Sequence, residues 1–225
     1  MNIAMAKSQK KPCSRCGSCC QQGGPALHSQ DKQLITSGVL CFEDLITIRQ
    51  GELALLPLAL APSPVEKEFI KIQGQGSDWC CRFYDHKAAG CSIYSHRPIA
   101  CGLLNCTDPD EIFNIAGKDL LNRFDLLSND DPLLARIAEH ERLCPCPDFS
   151  ALTEKIKDNT QSDLASLTRL VHLDLDMRDK AARDFNLSVQ LEMFYFGRPL
   201  FQLLRPVGIT VTETVQGLHL SYNPG

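Results

Sequence analysis

The stretch Cys13-Ser14-Arg15-Cys16-Gly17-Ser18-Cys19-Cys20 puts four thiols into eight residues. Cys13, Cys16 and Cys19 recur at every third position, a spacing that lets one tight loop turn its sulfurs inward. Gly17 allows the backbone to bend around a small centre, and backbone N–H groups can then face the sulfurs. Such a loop supplies three corners of a tetrahedral site or three irons of a cubane, and remote cysteines must complete the shell. The fold expected around it is a small cysteine-rich metal-binding core with short strands.

The remote cysteines lie downstream. Cys81, Cys91, Cys101 and Cys106 return within one short segment. Cys80 and Cys81 are adjacent, and in an extended strand neighbouring side chains point to opposite faces, so the two are not expected to share one metal. Cys144 and Cys146 flank a single proline that can turn both thiols to one side, and they extend the candidate ligand set. Cys41 stands alone beside an apolar run and reads as a small buried hydrophobe.

The remaining composition is ordinary for a globular protein: 44% hydrophobic, 22% charged, with a net charge of -4. Mild acidity gives no electrostatic reason to expect a nucleic-acid partner. No apolar run reaches the roughly 18–20 residues of a membrane span; the longest, Leu53 to Ala61, is interrupted by Pro57. Lys7, Lys10 and Lys11 do not precede an apolar segment of the signal-peptide kind. The expected compartment is therefore the reducing cytoplasm, where a cysteine cluster points to metal binding or catalysis instead of disulfides.

Hydrophobic patterning predicts an α+β fold, mainly helical. Residues 1–11 read as a disordered basic tail, 12–150 as the cysteine-cluster metal-binding domain, and 151–225 as a helical extension packed on it. Within the domain the pattern predicts a short helix at 42–50 and strands at 66–73, 79–84 and 91–94. Pro98 fits the first turn of a helix. Phe113, Ala116, Leu120, Phe124 and Leu127 fall at helical spacing. Asp131-Pro132 starts a further helix that runs to about Leu143. A long amphipathic helix is expected over about 162–184, with Leu164, Leu167, Val171 and Leu175 on one stripe. Ile209, Val211 and Val215, then Leu218, Leu220 and Tyr222, alternate as a terminal β-hairpin around Gln216-Gly217. Phe194, Tyr195, Phe196, Leu200, Phe201, Leu203 and Leu204 form a dense apolar group. It suits either core packing or a protein partner docking on the C-terminal half.

An all-thiolate set suits zinc, iron–sulfur clusters or Cu(I), and disfavours magnesium and calcium, which take oxygen ligands. His86 and His96 lie near the cysteines but lack zinc-finger spacing and read as surface residues. The first loop shares Cys-x2-Cys-x2-Cys with bacterial ferredoxins, yet the closing Cys-x3-Cys-Pro is missing.

The order Cys13-x-x-Cys16-Gly17-x-Cys19-Cys20, Cys81-x-Phe83, and Gly90-Cys91-Ser92-Ile93-Tyr94-x-x-Arg97-Pro98-x-x-Cys101 resembles the YkgJ-type cysteine-cluster family, described as a zinc- or iron-chelating domain. The resemblance covers roughly residues 12–106. Two positions depart from it. Gly102 stands where an arginine is common, and Tyr84 where a leucine is common. The resemblance implies metal binding through Cys13, Cys16, Cys19, Cys20, Cys81, Cys91 and Cys101. Cys106, Cys144 and Cys146 go beyond its core and leave room for a second centre. A four-thiolate zinc or an oxidised [4Fe–4S] centre is negatively charged. Arg97 is placed to offset that charge, and Tyr94 to donate to a sulfur or cap the core.

Three functions are consistent with these residues. The first is a cysteine-cluster metalloprotein that binds an iron–sulfur cluster, [4Fe–4S] included, or zinc, with a structural, electron-transfer or metal-handling role. The number of clustered cysteines tilts that choice toward iron–sulfur. The second is a cluster-dependent protein-modifying enzyme, because one branch of the wider cysteine-cluster group is linked to flagellin lysine methylation. The third is a thiol redox switch, motivated by the paired cysteines.

Overall fold

The computed structural model describes residue 13 and residues 15–55, 59–158, 160–214 and 217–223, with the side chains of 156–161 left out. The expected basic tail, Pro57, Val215 and Gln216 fall outside the described residues. After a 3₁₀ turn at Cys20–Gln22 come α1 (Lys32–Thr36), β1 (Leu45–Ile48), β2 (Leu53–Ala54), β3 (Ser63–Pro64) and β4 (Phe69–Ile72). Four two-residue strands follow: β5 (Gly74–Gln75), β6 (Cys80–Cys81), β7 (Tyr84–Asp85) and β8 (Gly90–Cys91). The chain then turns helical, through α2 (Ile99–Leu103), α3 (Asp110–Ile115), α4 (Leu134–Leu143), α5 (Phe149–Asp158), α6 (Thr160–Phe185), α7 (Val189–Phe196) and α8 (Leu200–Leu203). It ends in the hairpin of β9 (Ile209–Thr214) and β10 (Gly217–Tyr222), where Thr214 pairs with Gly217 and Ile209 with Tyr222. The class is α+β, with small antiparallel strand pairs instead of one sheet. Among the described residues no helix is long and apolar enough to cross a membrane.

The expected helix at 42–50 is a correction. A 3₁₀ turn at Phe42–Asp44 leads into strand β1, which pairs antiparallel with β4 from Leu45↔Ile72 to Ile48↔Phe69. Three of the four β1 residues are β-branched, which favours extended backbone. All four are buried, so no alternation was visible to mark a strand. Asp44 closes the turn by accepting from the Cys41 N–H at 2.8 Å and from its thiol at 3.2 Å. Cys41 is exposed, not a core residue. Burial, then the Asp44 bond and charge, push its thiol up to about 11.

The helical spacing from Phe113 to Leu127 also breaks. α3 stops at Ile115, Gly117 takes φ +72° and Asp119 φ +51°, and the chain re-forms only as a 3₁₀ turn at Arg123–Asp125. Asn122 caps that turn by accepting from the Phe124 N–H at 2.9 Å, a polar cap winning over apolar spacing. Asp131 accepts from the Leu133 N–H at 2.9 Å, and α4 begins just after it.

Two apolar cores result. The first joins Leu27, Leu40, Leu45, Ile70 and Ile72 to Phe194 and Phe196 of α7. Phe42 and Phe194 stack at 4.2 Å between ring centroids, and Thr47 Oγ1 donates to the Phe194 carbonyl at 2.5 Å. The second core gathers Phe149, Val171, Leu200, Leu204, Ile209 and Leu220 around α6 and the terminal hairpin. The apolar group at 194–204 thus serves both cores, with Phe201 alone among the seven left partly exposed.

Between the cores lies a buried set of charges. Arg49 Nη2 meets Glu141 at 2.8 Å and the Cys144 carbonyl at 2.6 Å. Arg123 shares Glu141, meets Glu68 at 2.9 Å and donates to the Tyr195 carbonyl. Arg198 pairs with the fully buried Glu52. Deeper in, Asp174 accepts from His140 Nε2 at 2.7 Å, Arg178 Nε at 2.9 Å and the Leu200 N–H at 2.9 Å. Arg178 also donates to the carbonyls of Phe196 and Gly197.

Candidate metal centre

The N-terminal loop is shaped by one glycine. Gly17 has φ +80°, and a Cβ placed on it would lie 2.2 Å from the hydroxyl of Tyr84. Only glycine suits this backbone and this approach. Tyr84, where the resembled family commonly has leucine, lies against that bend. The Gln21 N–H donates to the Gly17 carbonyl at 2.9 Å and the Gly23 N–H to the Cys20 carbonyl at 3.1 Å, closing the loop. Within it the sulfurs of Cys19 and Cys20 stand 4.0 Å apart.

Two minimal hairpins bring further thiols. Pairing of β5 with β6 sets Cys81 opposite Gly74, and pairing of β7 with β8 sets Cys91 opposite Tyr84. Helix α2 carries Cys101, and Cys106 follows it. The outcome is a cavity of about 70 Å³. Cys13, Cys16, Cys19 and Cys20 line it from the first loop, and Cys91, Cys101 and Cys106 from the second. Cys81 lies behind, in the wall of a second cavity that it shares with Cys19, Cys20 and Cys101. Cys80 is buried in the first core, away from both cavities, as the strand geometry predicts.

The thiols interact. Cys20 is pushed up to about 12, first by burial and then by Cys19, Cys81 and Cys91. Cys101 is pushed well above the ordinary thiol range by burial and by Cys81, Cys19, Cys20 and Cys91. Cys81 is raised by burial, with Cys91 among its neighbours. Thiolates crowded this closely need a cation to coexist, so metal binding here releases protons.

The cations at hand come from the same loops. Arg15 and Arg97 both lie over the Tyr94 ring, each 4.1 Å from its centroid, and all three residues line the thiol cavity. Arg97 Nε is buried with no hydrogen-bond partner. No carboxylate lines that cavity among the described residues. An anionic sulfur-bound centre fits this arrangement: it gives Arg97 an acceptor and both guanidiniums a counter-charge. Sequence reasoning found Arg97 and Tyr94 and missed Arg15. Its signal was a basic residue between Cys13 and Cys16, held at φ +58°.

Other candidates lie elsewhere. Cys144 and Cys146 line neither thiol cavity; they sit in the second core, Cys144 with its sulfur 3.9 Å from that of Met177. Burial is the main cause that raises them, to about 11 and about 12. His86 and His96 are exposed, and His86 packs edge-on to Tyr84. Among the described residues no disulfide joins the cysteines. Among the described residues no group of three or more His, Cys, Asp or Glu side chains is drawn tightly enough together to hold a single ion.

Residues 12–119 match the model of the CxxCxxCC family, whose description reads "putative zinc- or iron-chelating domain". The match is a little under half of the chain and runs past Cys106 through α3. No curated protein and no solved structure matches the chain.

Proposed function

We propose that the chelating domain at residues 12–119 holds an iron–sulfur centre through thiolates drawn from Cys13, Cys16, Cys19, Cys20, Cys81, Cys91, Cys101 and Cys106. The observation that carries this reading is the ring of seven thiols around one small cavity, contributed by two sequence-remote segments. The thiols surround a space instead of closing on one point, which suits a polynuclear inorganic core better than a lone ion. Arg15 and Arg97 supply compensating charge. Bound there, such a cluster supplies one-electron redox chemistry. A reducing, cytoplasmic setting belongs to the same reading, since the thiols must stay free to bind.

One observation favours zinc as a second reading. The Cys19–Cys20 sulfur separation of 4.0 Å is close to the edge of a zinc–thiolate tetrahedron, about 3.8 Å for Zn–S bonds of about 2.3 Å. Anaerobic purification followed by iron, zinc and acid-labile sulfide analysis decides between them. Iron and sulfide in equal amounts, with a charge-transfer band in the visible, is the expected result. Stoichiometric zinc without sulfide establishes the second reading. A metal-free protein with an unaltered melt defeats both.

A further inference from the structure

We infer that the cavity behind Cys19, Cys20 and Cys101 is a binding site for a small, uncharged, mostly apolar molecule that meets the metal centre from the side of α3. The inference rests on the proposed centre only for that last contact; the cavity stands by itself.

The cavity measures about 370 Å³, within the range of roughly 300–1,000 Å³ common to small-molecule sites. Cys19, Cys20 and Cys101 are walls of both cavities, so a centre held by them presents one side to the larger one. The rest of the lining is apolar, from Leu104 of α2 through Ile112 and Phe113 of α3 to Leu120. Its polar side chains, thiols apart, are Gln22 and His28; His28 Nε2 bonds the Ile115 carbonyl at 3.2 Å, while its Nδ1 is buried with no hydrogen-bond partner and offers a mostly apolar guest one polar contact. No Asp, Glu, Lys or Arg lines it, so no side chain of the wall answers an anionic guest, which an anionic centre would also repel. Phe113 is 40% exposed while lining the cavity, which marks the mouth at α3.

Small residues keep the space open. A Cβ on Gly117 would touch nothing within 4 Å. Gly23, also in the wall, lies against Trp79, whose Cδ1 would be 3.6 Å from a Cβ there. Trp79 is the sole tryptophan of the chain, so its fluorescence reports directly on this wall.

The test titrates n-butyl isocyanide, an uncharged apolar probe with a donor carbon, into the anaerobically purified full chain. Trp79 fluorescence and the visible spectrum are followed together, with pentanoate as the charged counterpart. A saturable change in both signals with the isocyanide and none with the carboxylate is expected. Ala116→Phe, filling the cavity from α3, should weaken binding by roughly tenfold or more at unchanged iron and sulfide content. Leu120→Phe fills it from another wall, keeps Trp79 the sole tryptophan and repeats the measurement if Ala116→Phe loses metal. No saturation in the wild type up to millimolar probe overturns the site, as does equal binding by the filled variant or by pentanoate. Saturating fluorescence with an unchanged visible spectrum overturns the contact with the centre. Iron and sulfide are assayed on the same sample. A missing cluster with saturable fluorescence therefore counts against the iron–sulfur reading and not against the cavity.

Discussion

The thiol cavity and the charged layer between the two cores both gather charged or ionisable groups, and they compensate them in opposite ways. In the layer, guanidiniums meet carboxylates of the same chain: Arg49 and Arg123 share Glu141, Arg198 has Glu52, and Arg178 has Asp174. Among the described residues no carboxylate lines the thiol cavity beside Arg15 and Arg97, and the sulfurs push one another's protons on. Lys71 stands between the two, with its ammonium lowered mainly by burial and by Arg198, and held up by Cys81 and Glu52. The difference separates structure from function. The layer pairs its charges within the chain, although Arg49 Nη1 and Arg123 Nε stay without a partner, whereas the proposed centre would draw its counter-charge from a bound metal.

Substitution tests the contrast most sharply at the thiols. Cys20→Ser together with Cys101→Ser is expected to remove most of the bound metal, roughly tenfold or more, measured by metal analysis on folded protein. Cys144→Ala with Cys146→Ala, in the second core, should leave metal content at the wild-type level. Equal metal loss in both would erase the distinction between the regions.

In the charged layer the largest effect is expected on stability. Asp174→Ala strips His140, Arg178 and the Leu200 N–H of their common acceptor. Breaking a buried pair from one side costs about 3–5 kcal/mol, read by urea unfolding, while metal per folded molecule stays constant.

Gly17→Ala sharpens the comparison from the loop. The left-handed backbone and the collision with Tyr84 together cost at least about 1–3 kcal/mol, and metal content should fall with stability. Adding Tyr84→Ala removes the collision but not the backbone strain, so recovery should be partial. Full recovery would show that φ +80° at residue 17 is dispensable.

The smallest effect is a pH slope. Burial, against the Asp174 bond, lowers His140 from its usual 6.5. The unfolded chain therefore takes up a proton before the folded one as pH falls below 6.5, and stability declines from there. Burial works to raise Asp174, but His140 and Arg178 outweigh it and hold the carboxyl below 3.8. Its contribution is complete above 3.8 and is lost as pH falls further. His140→Gln should delete the onset near 6.5 and leave the lower one, checked by melting temperature against pH.

The sequence made the thiol site legible because cysteine spacing is local: Cys13 to Cys20 and Cys91 to Cys106 each sit on one short piece of chain. Gly17 and Arg97 were readable for the same reason. Helices α4 and α6 and the β9–β10 hairpin were legible because each exposes one side to water, so a period survives. Strand β1 was not, since both of its faces are covered and the pattern that distinguishes strand from helix vanished. The charged layer was invisible because its members pair across long separations, such as Arg49 with Glu141 and Glu52 with Arg198. Nothing in the local sequence of either partner names the other. The larger cavity escaped because its walls come from the Gln22–Ala26 segment, α2 and α3, none of them unusual by itself.

The stacking of Phe42 on Phe194 and the bond from Thr47 to the Phe194 carbonyl have a consequence for biosynthesis. On the ribosome β1 emerges long before α7, which covers it. At roughly 5–20 residues per second, the separation of 147 residues between Thr47 and Phe194 leaves β1 uncovered for about seven to thirty seconds. Nascent chains therefore carry an open apolar strand throughout that interval, an aggregation-prone state that ends only when the C-terminal half arrives.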